Sequence, residues 1–318
     1  MVSSTRKKDS WLVIVNPNAG RGLGSKDWKK IETILNEKKI AFDAKFTQAR
    51  GDAIQLTQTG IADGFRNIMV VGGDGTINEV VNGCFRQTVC STKELFLSMI
   101  TIGTGNDWGR MFAIPSNYED AIRVICKKKT CLQDTGVVYY YHGTRREKRY
   151  FINIAGLGFD ALVVQRTNRQ KEKGHSGKAL YMWNLLRSLL AYSYTQTEVV
   201  IDGKQVSNEV FTISLGIGRY SGGGMMQTPK AIHDDGLFDI TIIKKMRKGE
   251  VIRNLKLLYN GLILEHPKVE GYKGRDILVN SDPLIHLEVD GESLGHSPIE
   301  FRIIPKSINI VHNAYPLN

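Results

Sequence analysis

The chain has 318 residues, 42% hydrophobic and 24% charged, an ordinary balance for a soluble globular protein and a length that implies two domains. Its formal charge of +11 suits anionic partners such as phosphorylated ligands, lipid headgroups or nucleic acid. Four cysteines with no CxxC pair exclude a disulfide framework and point to a reducing, cytoplasmic setting; the polar start MVSSTRKKDS and the lack of an 18-residue apolar window predict neither a signal peptide nor a membrane span.

In chain order, WLVIV (11–15) reads as a buried strand, NPNAGRGLG as a Gly-rich turn and 25–39 as a helix with Trp28, Ile31, Ile34 and Leu35 on one face. A strand at 41–46, a helix at 51–63 and the strand NIMVV lead to GGDGT (72–76) and a helix at 77–86. LSMITI (97–102) is the next strand, followed by GTGNDWGR and a helix near 117–128. This alternation predicts a parallel sheet with helices on both faces, and NPNAG, GGDGT and GTGND all fall at carboxyl ends of its strands, where such sheets bind ligands. After about residue 131 the segments become short, alternating and turn-bounded, which predicts an antiparallel β domain. Two helical stretches interrupt it, at 177–194 and 248–264, and the basic segment 166–178 reads as a loop. The expected division is 1–131 and 132–318, with the last residues packing back on the first domain.

Glycine-rich turns that open helices offer outward N–H groups and a favourable dipole to an anion. Three of them at one sheet edge point to phosphate. None is a Walker A loop, and GIGRYSGGG (216–224) lies in the β domain, away from a first βα turn, so a dinucleotide fingerprint is disfavoured. Asp74 and Asp107 sit on two of these turns, and paired carboxylates suit the Mg²⁺ that phosphoryl transfer requires. In LEVDGE the DG pair is a hairpin signal, and a turn there also presents carboxylates able to accept a hydroxyl proton.

VNPNAGRG (15–22), VVGGDGTINEVVNG (70–83), IGTGNDWGR (102–110), GLGFDA (156–161), GGGMMQTPKAIHDDGLFDI (222–240) and LEVDGE (287–292) occur in that order and cover nearly the whole chain. Together they resemble the bacterial soluble diacylglycerol kinase-like lipid kinases, of the diacylglycerol and sphingosine kinase catalytic type. The resemblance implies an α/β N-terminal domain like that of NAD kinases and phosphofructokinases, followed by a C-terminal antiparallel β-sandwich. It implies ATP in the cleft between the two domains, contacted by Asn16, Thr47, Gly72, Gly73, Asp74, Gly75, Thr76, Asn78, Glu79, Thr104, Asn106, Asp107 and Asp134. Asp74, Asp107 and Asp134 match an aspartate network around Mg²⁺ and water. Glu292 and Asp290 match the catalytic motif, with Glu292 as the favoured general base and Asp290 its neighbour. A structural Mg²⁺ is implied on Asp235 and the carbonyls of Ile232 and Leu237.

The expected partner is a lipid substrate met peripherally at a membrane surface, with the helix 177–194 and the basic segment 166–178 toward the lipid. Nucleic acid is not expected, since aromatics are not interleaved with the basic clusters, and β-domain edges allow a homodimer. Two other readings remain open: an NAD kinase-like enzyme on the same scaffold, and a non-catalytic lipid- or nucleotide-binding protein.

Overall fold

A computed structural model describes residues 4–103, 105–172 and 178–313, and the chain forms two compact units. The first runs to Asp134 and takes in the residues from Lys306 onward; the second is Thr135–Pro305.

The first unit opens with α1 (Ser4–Asp9), then β1 (Trp11–Val15), α2 (Ala19–Glu37), β2 (Phe42–Phe46), α3 (Asp52–Ala62), β3 (Asn67–Gly72), α4 (Asp74–Arg86), β4 (Phe96–Thr101), α5 (Asp107–Met111) and α6 (Tyr118–Lys127). The strands pair in parallel in the order β4-β3-β1-β2. β1 and β3 are buried along their whole length, as expected of strands covered on both faces. One face packs Val13, Val15, Met69 and Val71 against Ile31 and Leu35 of α2 and Ile122 and Ile125 of α6. On the other face α3 meets β1 so closely that Gly60 stands against Leu12.

Two boundaries differ from the sequence reading. α4 begins at Asp74, three residues before the expected start, so Asp74, Gly75 and Thr76 of GGDGT already lie in its first turn. α2 begins early because Ala19 is helical, but Gly20, Arg21 and Gly22 then turn left-handed before the main helix proceeds.

The second unit begins inside β5 (Thr130–His142), which is followed by β6 (Arg145–Phe151), β7 (Ile154–Gly158), α7 (Phe159–Glu172), α8 (Lys178–Ala191), β8 (Thr195–Ile201) and β9 (Lys204–Gly216). The hairpin pair β10 (Tyr220–Ser221) and β11 (Met225–Met226) precedes β12 (Phe238–Lys244), α9 (Lys248–Tyr259), β13 (Val269–Gly274), β14 (Asp276–Asp282), β15 (His286–Val289) and β16 (Glu292–Val311). Antiparallel pairing runs β9-β7-β15-β16-β14-β8 and returns to β9, so six strands close into a barrel rather than two separate sheets. Closure removes edges. β12 and β13 extend the circuit from β9, and β5 and β6 extend it from β16. The interior is apolar, with Leu157, Ile213, Leu215, Val279, Leu287 and Phe301 among its members. On the outer side Phe159 and Val163 of α7, Leu185 and Leu189 of α8 and Val251 of α9 form a second core with Phe211 and Ile243.

The expected loop at 166–178 is a helix as far as Glu172, and residues 173–177 lie outside the described residues. The tail of β16 leaves this unit and pairs in parallel with β4 through Asn309 and Ile310.

α4 meets α3 closely at Gly83, where an added methyl would stand 2.6 Å from Thr57 Cβ and 2.8 Å from the Ile54 carbonyl oxygen of α3. Overpacking against backbone costs about 1–3 kcal/mol, whereas Gly-to-Ala gains at most ~1 kcal/mol of helix propensity. Gly83→Ala is therefore expected to destabilise the fold, seen as a lower urea midpoint by circular dichroism; an unchanged or higher midpoint would contradict this packing.

Candidate active site

In the first unit the turns after β1, β3 and β4 hold one another. Asn16 Nδ2 donates to Thr76 Oγ1 at 3.0 Å, and Ile102 N–H donates to the Gly72 carbonyl at 2.7 Å. A methyl at Gly103 would stand 2.7 Å from Asn106 Oδ1 and 3.2 Å from Gly73 Cα, so GGDGT and GTGND pack glycine on glycine. The glycines read from the sequence as room for a ligand thus serve first to bring two turns together. The consequence lies at Gly105: the point a methyl would occupy is 3.0 Å from Asp74 Oδ2 and 3.0 Å from Asp107 Oδ2. Two carboxylates from separate turns therefore aim at one small space over bare backbone. Asp74 keeps its orientation because its Oδ1 accepts the Trp108 N–H at 3.1 Å. Asp107 is almost fully buried, with Arg110 Nε 3.9 Å from its Oδ1. This donor set fits Mg²⁺, a hard cation that takes one or two carboxylates and completes its shell with water and phosphate oxygens.

The other expected residues divide. Thr47 is buried at the end of β2, its N–H donating to the Val15 carbonyl. Gly75 lies in the first turn of α4. Asn106 has left-handed backbone (φ 52) and donates from Nδ2 to the Gly103 carbonyl, which shapes the second turn. Three of the expected contacts make hydrogen bonds within the protein. Glu79 accepts the Gly51 and Ala53 N–H groups and so caps α3. Asn78 is fully buried and accepts from Asn82. Asp134 is fully buried on β5 and accepts the Lys306 N–H at 2.6 Å, which ties the returning tail of β16 into this unit. Thr104 lies outside the described residues.

In the second unit the DGE turn is a tight hairpin. Val289 pairs with Glu292, and Asp290 and Gly291 are both left-handed, with φ of 48 and 82. The Asp290 carboxylate accepts three main-chain N–H groups, from Ile152 (3.2 Å), Asn153 (3.1 Å) and Ile154 (3.1 Å). It thereby clamps the entry to β7. Asp290 is thus committed to backbone, and Glu292 stands at the start of β16.

Two carboxyls were missed by sequence reasoning. Glu288 lies between the interior residues Leu287 and Val289 and points to the other side of its strand. It is buried there, with Oε2 accepting the Gly291 N–H at 2.9 Å. Its Oε1 comes within 2.7 Å of the point a methyl at Gly156 would occupy, and Asp160 Cβ within 3.0 Å of the same point. Burial, and then the charge of Asp160, push Glu288 well above the usual carboxylate range. Asp160 is itself raised to about 6, chiefly by loss of solvent, against hydrogen bonds from Thr212, Ser214 and Gln227. The available signal was a lone acid in a strand that helices cover on its outer side. Asp160 also lines a small apolar cavity of about 50 Å³ with Phe159, Val163, Leu185, Phe211 and Ile243.

The expected structural ion site does not fit a cation. Asp235 Oδ1 accepts the Leu237 N–H, and its Oδ2 lies 2.8 Å from Lys273 Nζ. The same ammonium is 3.4 Å from Asp239 Oδ2. A lysine from β13 already neutralises the place where the resemblance implies Mg²⁺.

Two outcomes are expected from these contacts. Asp290→Ala strands buried N–H groups and should cost on the order of 3 kcal/mol, while Glu292→Ala should cost less than about 1 kcal/mol; denaturant titration of both variants checks the contrast. Asp160→Asn tests the buried acid. With a folded value near 6 against an ordinary 3.8, this group's contribution to stability is present below about 3.8 and is lost as pH rises through 6. The variant should therefore melt higher than the parent at pH 8, by about 1–3 kcal/mol, and match it at pH 4. A constant difference across that range would show that Asp160 is not desolvated.

Comparison with known proteins agrees with this arrangement. Residues 10–138 match the diacylglycerol kinase catalytic domain, and residues 153–312 match the YegS C-terminal NAD kinase beta sandwich-like domain. A diacylglycerol kinase of Staphylococcus carnosus (strain TM300) is 29% identical over 302 residues, covering 94% of this chain and 93% of that protein. The diacylglycerol kinase of Staphylococcus aureus (strain JH9) is 28% identical over 298 residues, covering 94% and 90%. Among solved structures, a diacylglycerol kinase from Bacillus anthracis str. Sterne superposes with a TM-score of 0.72 at 22% identity, covering 97% of this chain and 98% of that one. Yeast NADH kinase shares the fold more distantly, with a TM-score of 0.52 at 12% identity over 96% of this chain and 84% of that one. No described helix is long and apolar enough to cross a membrane. With both of its units matched in order and the paired aspartates and DGE hairpin in place, the chain belongs to the bacterial diacylglycerol kinase-like family.

Proposed function

We propose that the protein is an ATP- and Mg²⁺-dependent lipid kinase that phosphorylates a hydroxyl of diacylglycerol or a related lipid at a membrane surface. The observation that carries this reading is the convergence of Asp74 and Asp107 on the bare backbone of Gly105 at the carboxyl edge of a parallel sheet. Mg²⁺ held there would neutralise charge on the phosphates. Asp74 and Asp107 hold their carboxylates toward that point, and the Asn16–Thr76 bond keeps the first turn against the second. The first turn of α4 offers its N–H groups to phosphate oxygens. Glu292 accepts the proton of the lipid hydroxyl, and Asp290 keeps the hairpin that presents it.

The apolar cavity supports a lipid acceptor over a dinucleotide. Its walls are hydrocarbon, with Asp160, Ser214 and Gln227 among its few polar groups. At about 50 Å³ it is far below the roughly 300–1,000 Å³ of formed ligand pockets. An acyl chain would enter by displacing side chains, and Met225 and Met246, which line the space, are the adaptable kind.

The test is transfer of label from γ-labelled ATP with Mg²⁺ to diacylglycerol, sphingosine-like bases, ceramide and phosphatidylglycerol in mixed micelles, with NAD as a separate acceptor. A lipid should be labelled. Glu292→Gln should lower kcat by about 10²–10⁴ with little change in melting temperature, and Asp74→Asn should abolish transfer. Label entering NAD and no lipid would overturn the proposal in favour of an NAD kinase. ATP binding without transfer to any acceptor would overturn it in favour of a non-catalytic binder.

A further inference from the structure

Asp160 and Glu288 have no role in the transfer chemistry above, yet both are desolvated beside the apolar cavity of the second unit. Asp160 lines that cavity, and its Oδ2 accepts from Gln227 Nε2 at 2.8 Å and from Ser214 Oγ at 3.4 Å, both neutral donors. Glu288 is 4% exposed and spends Oε2 on the Gly291 N–H. Its Oε1 has no hydrogen-bond partner among the described residues. That oxygen lies 2.7 Å from the point a methyl on Gly156 would fill, with Asp160 Cβ 3.0 Å from the same point. Among the described residues neither acid is ion-paired, and the charges that act on Glu288 are other acids, Asp160, Asp290 and Glu292. Tyr192, whose hydroxyl overhangs Gly158, also faces Asp160.

A desolvated carboxylate without a counter-ion is costly, and hydrogen bonds from neutral groups offset that cost only in part. Asp160 keeps its proton up to about pH 6 for that reason, so at neutral pH the cavity ends in a carboxylate beside an uncharged Glu288. An arriving cation removes the cost. An ester group, which brings neither charge nor proton, does not. Hydrocarbon walls that end in uncompensated acids are the complement of a long-chain amine. The narrow space, about 50 Å³, suits one chain better than two. Bare backbone at Gly156 leaves room between the acids for a small head such as ammonium.

We propose that Asp160 and Glu288 form an ammonium-binding subsite at the end of the apolar cavity, selecting an acceptor lipid with one long chain and a protonated amine over diacylglycerol. This rests on the lipid-kinase reading above and names the acceptor class within it.

The experiment has two arms. Calorimetry without ATP compares n-decylammonium with n-decanol, ligands of one chain length that differ in charge. At pH 8 native protein should bind the amine about 10–100-fold more tightly, the range of a charge-assisted hydrogen bond. An alkyl amine stays charged between pH 5 and pH 8, whereas Asp160 protonates near 6, so native affinity should fall about tenfold over that span. Asp160→Asn should lose both the preference and the pH dependence; Glu37→Gln, which removes an exposed acid of α2, should lose neither. Equal binding of alcohol and amine, or a preference that survives in Asp160→Asn, would overturn the proposal. The transfer arm offers γ-labelled ATP and Mg²⁺ with a sphingosine-like base, the same base N-acetylated, or diacylglycerol. In native protein kcat/KM for the free base should exceed that for the other two, and the excess should shrink about 10–100-fold in Asp160→Asn. Label in diacylglycerol with none in the free base would overturn the subsite and leave the kinase reading standing. Label in no lipid would overturn the kinase reading, and the calorimetry would still decide the subsite. Melting temperatures of the variants at both pH values keep a folding defect from passing as a binding defect.

Discussion

Two carboxylates can share one small space only where nothing else fills it. In this protein that constraint is met by glycine set against glycine. Gly73 and Gly103 let two turns from neighbouring strands touch through backbone, and Gly105 leaves open the point toward which Asp74 and Asp107 both aim. Any side chain at 103 would collide with Asn106 or with Gly73 and push the turns apart. The parallel sheet exists, from the site's point of view, to hold those turns in register: β3 and β4 pair residue for residue from Asn67 with Phe96 to Gly72 with Thr101. The polar residues around the turns then act as fasteners. Glu79 secures α3, Asn16 secures the β1 turn to α4, and Asp134 secures the tail of β16.

The second unit uses its acids differently. Within the segment from Leu287 to Glu292, three carboxyl groups have three fates set by what surrounds them. Asp290 meets three N–H groups and becomes part of the backbone network. Glu288 meets hydrocarbon and the carboxyl of Asp160, and its proton is held well above the ordinary range. Glu292 stays at the strand start, partly exposed. The hairpin geometry accounts for the division, since alternate residues of a strand face opposite ways and the left-handed turn lifts Asp290 out of that alternation. A buried acid pair costs stability, and such pairs cluster where proteins do chemistry or bind polar groups.

Much of this was legible in the residues. The apolar runs WLVIV and NIMVV could only be buried parallel strands, and the glycine turns between strand and helix located the phosphate side. The order of six motifs carried the family. What was not legible has physical causes. VEGYKG and DILVNSD became β13 and β14 although their composition is polar and Gly-containing, because pairing with neighbours outweighed weak propensity. α7 ends in QRTNRQKE, within a stretch that reads as a loop; its helicity comes from packing on α8 and the barrel wall. The ammonium of Lys273 took the place expected for an ion because β12 and β13 pair Asp239 with Lys273, a register no motif reveals. Asn78 and Glu79 sit inside a signature that resembles a ligand site, and their side chains also accept from Asn82 of α4 and from the start of α3.

The α7–α8 hairpin shows how these demands are reconciled in one element. It supplies Phe159, Val163 and Leu185 to the apolar cavity, and Arg166, Arg169, Gln170, Asn184 and Arg187 line a separate recess on it. Purely apolar packing would let two such helices slide by a residue at little cost. Buried polar groups prevent it: Asn184 donates to Thr167, whose own hydroxyl donates to the Val163 carbonyl, and Ser188 accepts from Arg166. A slip of one position would strand a buried amide at about 1–3 kcal/mol. The same few hydrogen bonds therefore fix the positions of Val163 and Leu185 against the barrel and of Arg166 and Arg187 around the recess. Substitutions at Asn184 would accordingly disturb both faces together, because one internal network sets the register for each.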